Sequence, residues 1–128
     1  MVSTVLNEGR RPAEFMISEG PGLRSRDVGH FVNSGTVELD LPAGLVLGQL
    51  AADSSFAAYS NTGTLGLQAA VGVLWDNLRI PASGTVAATY VARDAEVNAA
   101  ELQYAAGVDA PGKAAALADL RALGIIAR

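Results

Sequence analysis

A mostly β fold, a small barrel or sandwich with one short C-terminal α-helix and an extended N-terminal arm, is predicted by three features of these 128 residues. Apolar runs of about 4 to 7 residues recur at intervals of roughly ten, broken by Gly, Pro, Asn and Ser, which is the rhythm of short strands in a small all-β domain. The period changes to that of a helix only after Val108. The first dozen residues are too polar to bury the surface that would offset about 1 to 2 kcal/mol of backbone entropy per residue.

Taken in order, residues 1–22 (MVSTVLNEGRRPAEFMISEGPG) are the expected arm and residues 23–128 the β-rich domain. The arm alternates weakly at its start, passes through Asn7 to Pro12, and carries one apolar patch from Phe15 to Ile17 before Gly20, Pro21 and Gly22. A frayed terminus would read the same way; an arm that orders on a partner is the sharper expectation. Arg24 to Val32 reads as an extended piece, Asn33 to Gly35 as a turn, and Thr36 to Leu41 as a strand with Val37, Leu39 and Leu41 on one face. In LPAG, Pro42 at the second turn position and a glycine tolerant of positive φ reverse the chain into a strand over Leu45 to Leu50. Asp53 to Ser55 turn again into a short strand from Phe56 to Tyr59, and Asn61 to Gly66 form a loop.

The centre of the domain is expected where Val71 to Trp75 and Thr85 to Val91 flank a segment broken by Pro81 and Gly84. The second run is rich in β-branched and aromatic residues. Val86, Ala88 and Tyr90 share one face; Ala87, Thr89 and Val91 share the other and are nearly as apolar, which predicts a strand between two covered surfaces. Near the C-terminus a helix over residues 111–123 follows from Asp109 as N-cap, Pro111 in the first turn and Gly124 just past the end. Ala116, Leu117, Leu120 and Leu123 form its apolar stripe, Lys113, Asp119 and Arg121 lie off it, and Gly112 weakens its start. Ile125 and Ile126 are apolar enough to dock as a last strand.

With 50% hydrophobic and 17% charged residues, the chain has less polar surface than an average soluble domain, where about 25% are charged, and association of subunits would cover the surplus. A net charge of −4 argues against a sequence-independent hold on nucleic acid, which depends on Lys and Arg displacing counterions. There is no cysteine, hence no disulfide or thiolate metal site. No signal-peptide pattern and no apolar run of about 18 to 20 residues is present, so a soluble, unexported protein with no membrane partner is expected.

The sequence offers little reaction chemistry. His30 is the single histidine, without a neighbouring nucleophile or second ligand, and it reads as an ordinary polar residue. Asp94, Glu96 and Glu101 beside Arg93 are the tight carboxylate group. If Arg93 to Val97 is extended, Asp94 and Glu96 lie on one face about 7 Å apart, a separation glycosidases use, although an ion-paired surface produces the same pattern. The segment GPGLRSR, Gly20 to Arg26, lacks the lysine placement of a phosphate-binding loop. Trp75, in a chain short of large side chains, is expected as an interface anchor. No catalytic residue, metal or cofactor is expected.

The motifs LPAGLVLGQL (Leu41 to Leu50), FAAYS (Phe56 to Ser60), AVGVLWDNL (Ala70 to Leu78), VARDAEVNAAELQY (Val91 to Tyr104) and ALADLRALGIIAR (Ala116 to Arg128) resemble, in this order, the head decoration proteins of tailed bacteriophages, the family of the phage lambda head decoration protein D. The resemblance covers Phe15 to Arg128 and is most specific in RDAEVNAAEL and the helix ending in LGII. It implies a non-enzymatic homotrimer on the outer surface of an expanded capsid, at three-fold and quasi-three-fold sites, present in the host cytoplasm before assembly and afterwards in the virion. The major capsid protein is then the partner, reached through an arm in which Ser3, Thr4, Val5, Leu6, Arg10, Arg11 and Phe15 are the expected contacts. Pro42, Trp75 and Arg93 are the expected trimer contacts. Three rivals have discriminating features. Another minor virion protein would share the composition, a small-molecule-binding barrel needs a sizeable apolar pocket inside the subunit, and a hydrolase needs Asp94 and Glu96 converging in a cleft with one raised pKa.

Overall fold

A computed structural model describes residues 9–128. In chain order the elements are β1 (Met16–Glu19), β2 (Arg26–Val32), β3 (Leu39–Leu41), β4 (Val46–Gln49), β5 (Phe56–Ala58) and β6 (Gly72–Leu74). There follow β7 (Leu78–Ile80), β8 (Thr85–Val91), β9 (Ala95–Val97), a single 3-10 turn (Ala99–Glu101), α1 (Ala110–Ala122) and β10 (Ile125–Ala127). The mostly β fold with one C-terminal helix is as the sequence predicts; residues 1–8, the outer part of the expected arm, lie outside the described residues.

Five strands close into a barrel in the order β2-β5-β4-β6-β8. β8 organises it: antiparallel to β2 over all seven residues, from Arg26↔Val91 to Val32↔Thr85, and antiparallel to β6 through Val73↔Val91 and Leu74↔Tyr90. The inward face of the barrel is filled by Phe31, Leu45, Leu47, Phe56 and Leu74, with Val86, Ala88 and Tyr90 of β8 packed against them. Gly29 has no room for a side chain, since a Cβ there would come within 2.5 Å of the Phe56 ring.

A second core lies outside the barrel. β1, β9 and β10 form a three-stranded sheet, β1 antiparallel and β10 parallel to β9. Together with α1 it covers Val46, Val73 and Val91 with Phe15, Val97, Ala116, Leu120 and Ile125. The helix begins where its residues require: the Asp109 carboxylate accepts from the Gly112 N–H at 2.8 Å, Pro111 sits in the first turn, and Gly124 follows the end at φ +85°.

Several sequence-based expectations are corrected. β8 is covered on both faces only at its end: Val91 is buried, whereas Ala87 is exposed and Thr89 half-exposed, because the chain beyond Val91 folds over one side of the barrel only. The expected strand Thr36 to Leu41 shrinks to β3, with Val37 and Leu39 exposed, since its pairing with β7 spans only Leu39 to Leu41. The LPAG turn closes one residue later than expected: the Leu45 N–H donates to the Pro42 carbonyl at 3.2 Å, placing Gly44, at φ +87°, in the third position. Leu123 caps the helix and is 41% exposed rather than part of the buried stripe. Gly112 is not merely a weak start, because the Asn61 amide packs 2.4 Å from where its Cβ would be. β7 lies within the segment read as a turn.

Candidate functional site

Three surface features stand out. The first is the outer wall formed by β2 and β8, where Val28 faces Thr89 and His30 faces Ala87 across the ladder. Val28 is 68% exposed and Leu23, just before β2, is 71% exposed. At the end of this wall the Arg26 guanidinium lies 3.7 Å over the Trp75 ring, a cation–π contact. The same guanidinium makes a two-pronged ion pair with Glu19, which also accepts the hydroxyl of buried Ser25. Hydrogen bonds from Arg26 and then Ser25 hold the Glu19 carboxyl below its ordinary value of 4.5. Next along β2, Asp27 pairs with Arg93 and raises its pKa by hydrogen bonding. Trp75 and Arg93 are therefore tied to consecutive residues of one strand.

The second feature is an apolar groove of about 440 Å³ at the barrel mouth, lined by Val32, Leu39, Leu41, Pro42, Ile80 and Tyr104 among others. Pro42 belongs here. β3, one of its borders, has β7 on one side and no strand on the other among the described residues.

The third is the root of the arm. Arg10 Nε donates to the Ala43 carbonyl at 2.7 Å, the Ala43 N–H donates to Asn77 Oδ1 at 3.0 Å, and Asn77 Nδ2 donates to the Arg10 carbonyl. Arg10 Nη2 donates to the Glu101 carbonyl at 2.7 Å and pairs with the Glu14 carboxylate at 3.0 Å. Of the expected arm contacts, Arg10 is thus engaged with the body, the Arg11 N–H donates to Glu14 at 3.2 Å, and Phe15 is fully buried in the second core. Ser3, Thr4, Val5 and Leu6 lie outside the described residues. Asn77, Ala43 and Glu101 are partners that sequence reasoning missed. They sit 67, 33 and 91 residues from Arg10, and no local pattern connects them.

The carboxylates read as a possible catalytic pair do not converge. Asp94 has φ +52° and pairs with Arg24 at 3.1 Å, so Arg93 to Val97 is not continuously extended. Glu96 pairs with Arg128 at 3.0 Å, and Glu101 lies at the arm root, 3.5 Å from Arg10. His30 is exposed on the outer wall opposite Ala87. Among the described residues no group of three or more His, Cys, Asp or Glu is placed to hold a metal ion, and no helix is long and apolar enough to cross a membrane.

No curated protein matches the chain. A family model described as bacteriophage lambda head decoration protein D matches residues 5–125.

Proposed function

The chain belongs to the bacteriophage lambda head decoration protein D family, a structural family rather than one of enzymes, and on that premise we propose that it binds the outer surface of the expanded head as a trimer and stabilises it. The family match over residues 5–125 carries this reading, because it runs from ahead of the Arg10 root into the last strand and so takes in barrel, second core and helix.

The proposed mechanism is multivalent clamping. Each trimer presents three arms, and the segment Ser3 to Leu6 adds as a strand to an exposed sheet edge of the major capsid protein, exchanging solvent for main-chain hydrogen bonds. Three weak contacts act together through their high effective concentration. The sites exist in this arrangement only where capsid subunits meet in the expanded lattice, so binding favours that lattice and opposes its rupture. The structure supports a narrower arm than residues 1–22: with Arg10 hydrogen-bonded to the body and Phe15 buried, the part available to a capsid precedes Arg10.

For the trimer contact we propose the β2–β8 outer wall, where Val28 and Leu23 stand exposed beside Trp75 and Arg93. A second copy covering these residues would remove the apolar surplus that a chain with 17% charged residues carries. The rival barrel for a small molecule requires a sizeable apolar pocket inside the subunit; Phe31, Leu47 and Leu74, all fully buried, fill the interior, and the apolar groove of about 440 Å³ lies at its mouth.

The test is binding to expanded heads stripped of decoration, together with native mass. Three times 13.1 kDa, and saturable binding that delays head rupture on heating, are the expected results. A protein that leaves stripped heads bare and their rupture temperature unchanged overturns the reading.

A further inference from the structure

We infer that Arg10 is a positioning residue: it locks the root of the capsid-binding arm to the body, and the capsid itself is touched by the residues before it. The inference rests on the arm reading above and assigns a mechanical part within it. The observation is a closed cycle of three hydrogen bonds joining three remote segments, Arg10 Nε to Ala43 carbonyl, Ala43 N–H to Asn77 Oδ1, and Asn77 Nδ2 to Arg10 carbonyl. Each residue both gives and receives, so the three bonds close on one another. The second prong of Arg10 reaches the Glu101 carbonyl at 2.7 Å, which ties in a fourth segment.

The surroundings are shaped for this side chain. Gly44 follows Ala43 at φ +87°, and a Cβ there would meet the Glu101 carbonyl at 3.0 Å and Arg10 Nη2 at 3.3 Å, so glycine supplies both the turn and the room for the guanidinium. Glu14 closes the other side at 3.0 Å, and the Ala13 N–H donates to the Trp75 carbonyl at 2.8 Å. The Arg10 side chain is 23% exposed, against 69% for Arg79 and 63% for Arg128, whose guanidinium groups only form surface ion pairs. A planar fork that serves two carbonyls at once is a task lysine cannot repeat.

Fixing the chain at Arg10 rather than at Ala13, the next residue hydrogen-bonded to the body, shortens the tether to Thr4 from about nine residues to about six. Effective concentration falls roughly as the −3/2 power of tether length, so the shorter tether is worth about 1.8-fold per arm and about sixfold over three arms.

The experiment uses the full chain and the substitution Asn77→Asp, which keeps the oxygen that accepts from Ala43 and removes the donor to Arg10. In the free protein, trypsin cuts the Arg10–Arg11 bond only when the root opens, while the bond after Arg11 is protected by Pro12. Asn77→Asp is expected to speed that cut at least tenfold with the native mass unchanged and the melting temperature within a few degrees of wild type. Equal cutting rates overturn the lock. On stripped heads, Asn77→Asp and Arg10→Ala are each expected to weaken binding about sixfold, and the double variant no further, because both break one cycle. If Asn77→Asp loosens the root but binds heads as wild type does, or if Arg10→Ala alone weakens binding, Arg10 does not act by positioning and the inference is overturned. Deletion of residues 1–8 separates the two layers: undiminished head binding by that variant overturns the arm reading itself, whatever the trypsin result.

Discussion

The two outer walls of the barrel share strand β8 and its period, yet one is dry and the other wet. On the dry wall Val46, Val73 and Val91 point outward and are fully buried, because α1 and the β1-β9-β10 sheet lie over them. On the wet wall Val28, His30 and Ala87 point outward and are exposed. β8 belongs to both, dry at Val91 and wet at Ala87. The strand is the same; what differs is the amount of chain left to cover it. The helix and the last strands, which follow Ala92, pack over one side, and the other side stays exposed, the side proposed above as the trimer contact. An apolar alternation therefore states that a face is to be covered, while connectivity decides whether its own chain does so.

Equal cuts into both walls should have unequal effects. Leu120→Ala removes a fully buried side chain from above the dry wall and should lower stability by about 2 to 5 kcal/mol, with a fall of about 10 °C or more in melting temperature. Val28→Ala on the wet wall should change the stability of the isolated chain by less than about 0.5 kcal/mol. Chemical denaturation of both variants at a concentration where the chain is monomeric checks this. Similar losses would show that the wet wall is part of the folding core.

A second test separates the two faces of the wet wall. Val28 and Gly29 are neighbours on β2, one facing solvent and the other the Phe56 ring, where a Cβ would come within 2.5 Å. Gly29→Ala adds a single methyl and should lower stability by about 1 to 3 kcal/mol through overpacking, read by the same denaturation. A neutral result would mean that the barrel interior yields on this side, and that the wall is loose as well as open.

These contrasts explain what could be read in advance. The barrel strands were legible because alternation and turn residues are local, as in Thr85–Val91 and LPAG, and the helix because its caps, Asp109 and Gly124, lie next to it. β1 and β7 were not, since Met16–Glu19 and Leu78–Ile80 are strands only through partners, β9 and β3, far along the chain. The arm root was invisible for the same reason. Arg10 reads as a charge in a polar stretch until Ala43, Asn77 and Glu101 are folded around it. Gly112 was misjudged because helix propensity knows nothing of Asn61. Trp75 and Arg93 could be singled out by residue type, but their link through Arg26 and Asp27 needed the β2 register.

A smaller effect concerns the clasp at the edge between the walls. Glu19 carries a carboxyl held below 4.5 by Arg26 and Ser25, so its contribution is complete above 4.5 and is lost as pH falls from 4.5 through the lower folded value. Because the pair is partly exposed, that contribution is at most about 1 kcal/mol. Glu19→Gln should therefore be less stable than wild type at pH 7, with the difference narrowing towards pH 3 in paired melting curves. A gap that is constant across this range would mean that Glu19 acts through shape and not charge.

The smallest effect on folding should come with the largest effect on assembly. Val28→Asp places a carboxylate in the middle of the wet wall, beside Thr89 and away from any buried group, so the stability of the isolated chain should move by less than about 0.5 kcal/mol. If a second copy covers this wall, each subunit of the trimer would have to desolvate that charge, and association should fail. Native mass at a concentration where the wild type is trimeric decides the matter: one chain per particle with an unchanged melting curve supports the wet wall as the contact. A trimer of unchanged strength moves the contact to the groove around Pro42, and the comparison between the walls would then describe folding alone.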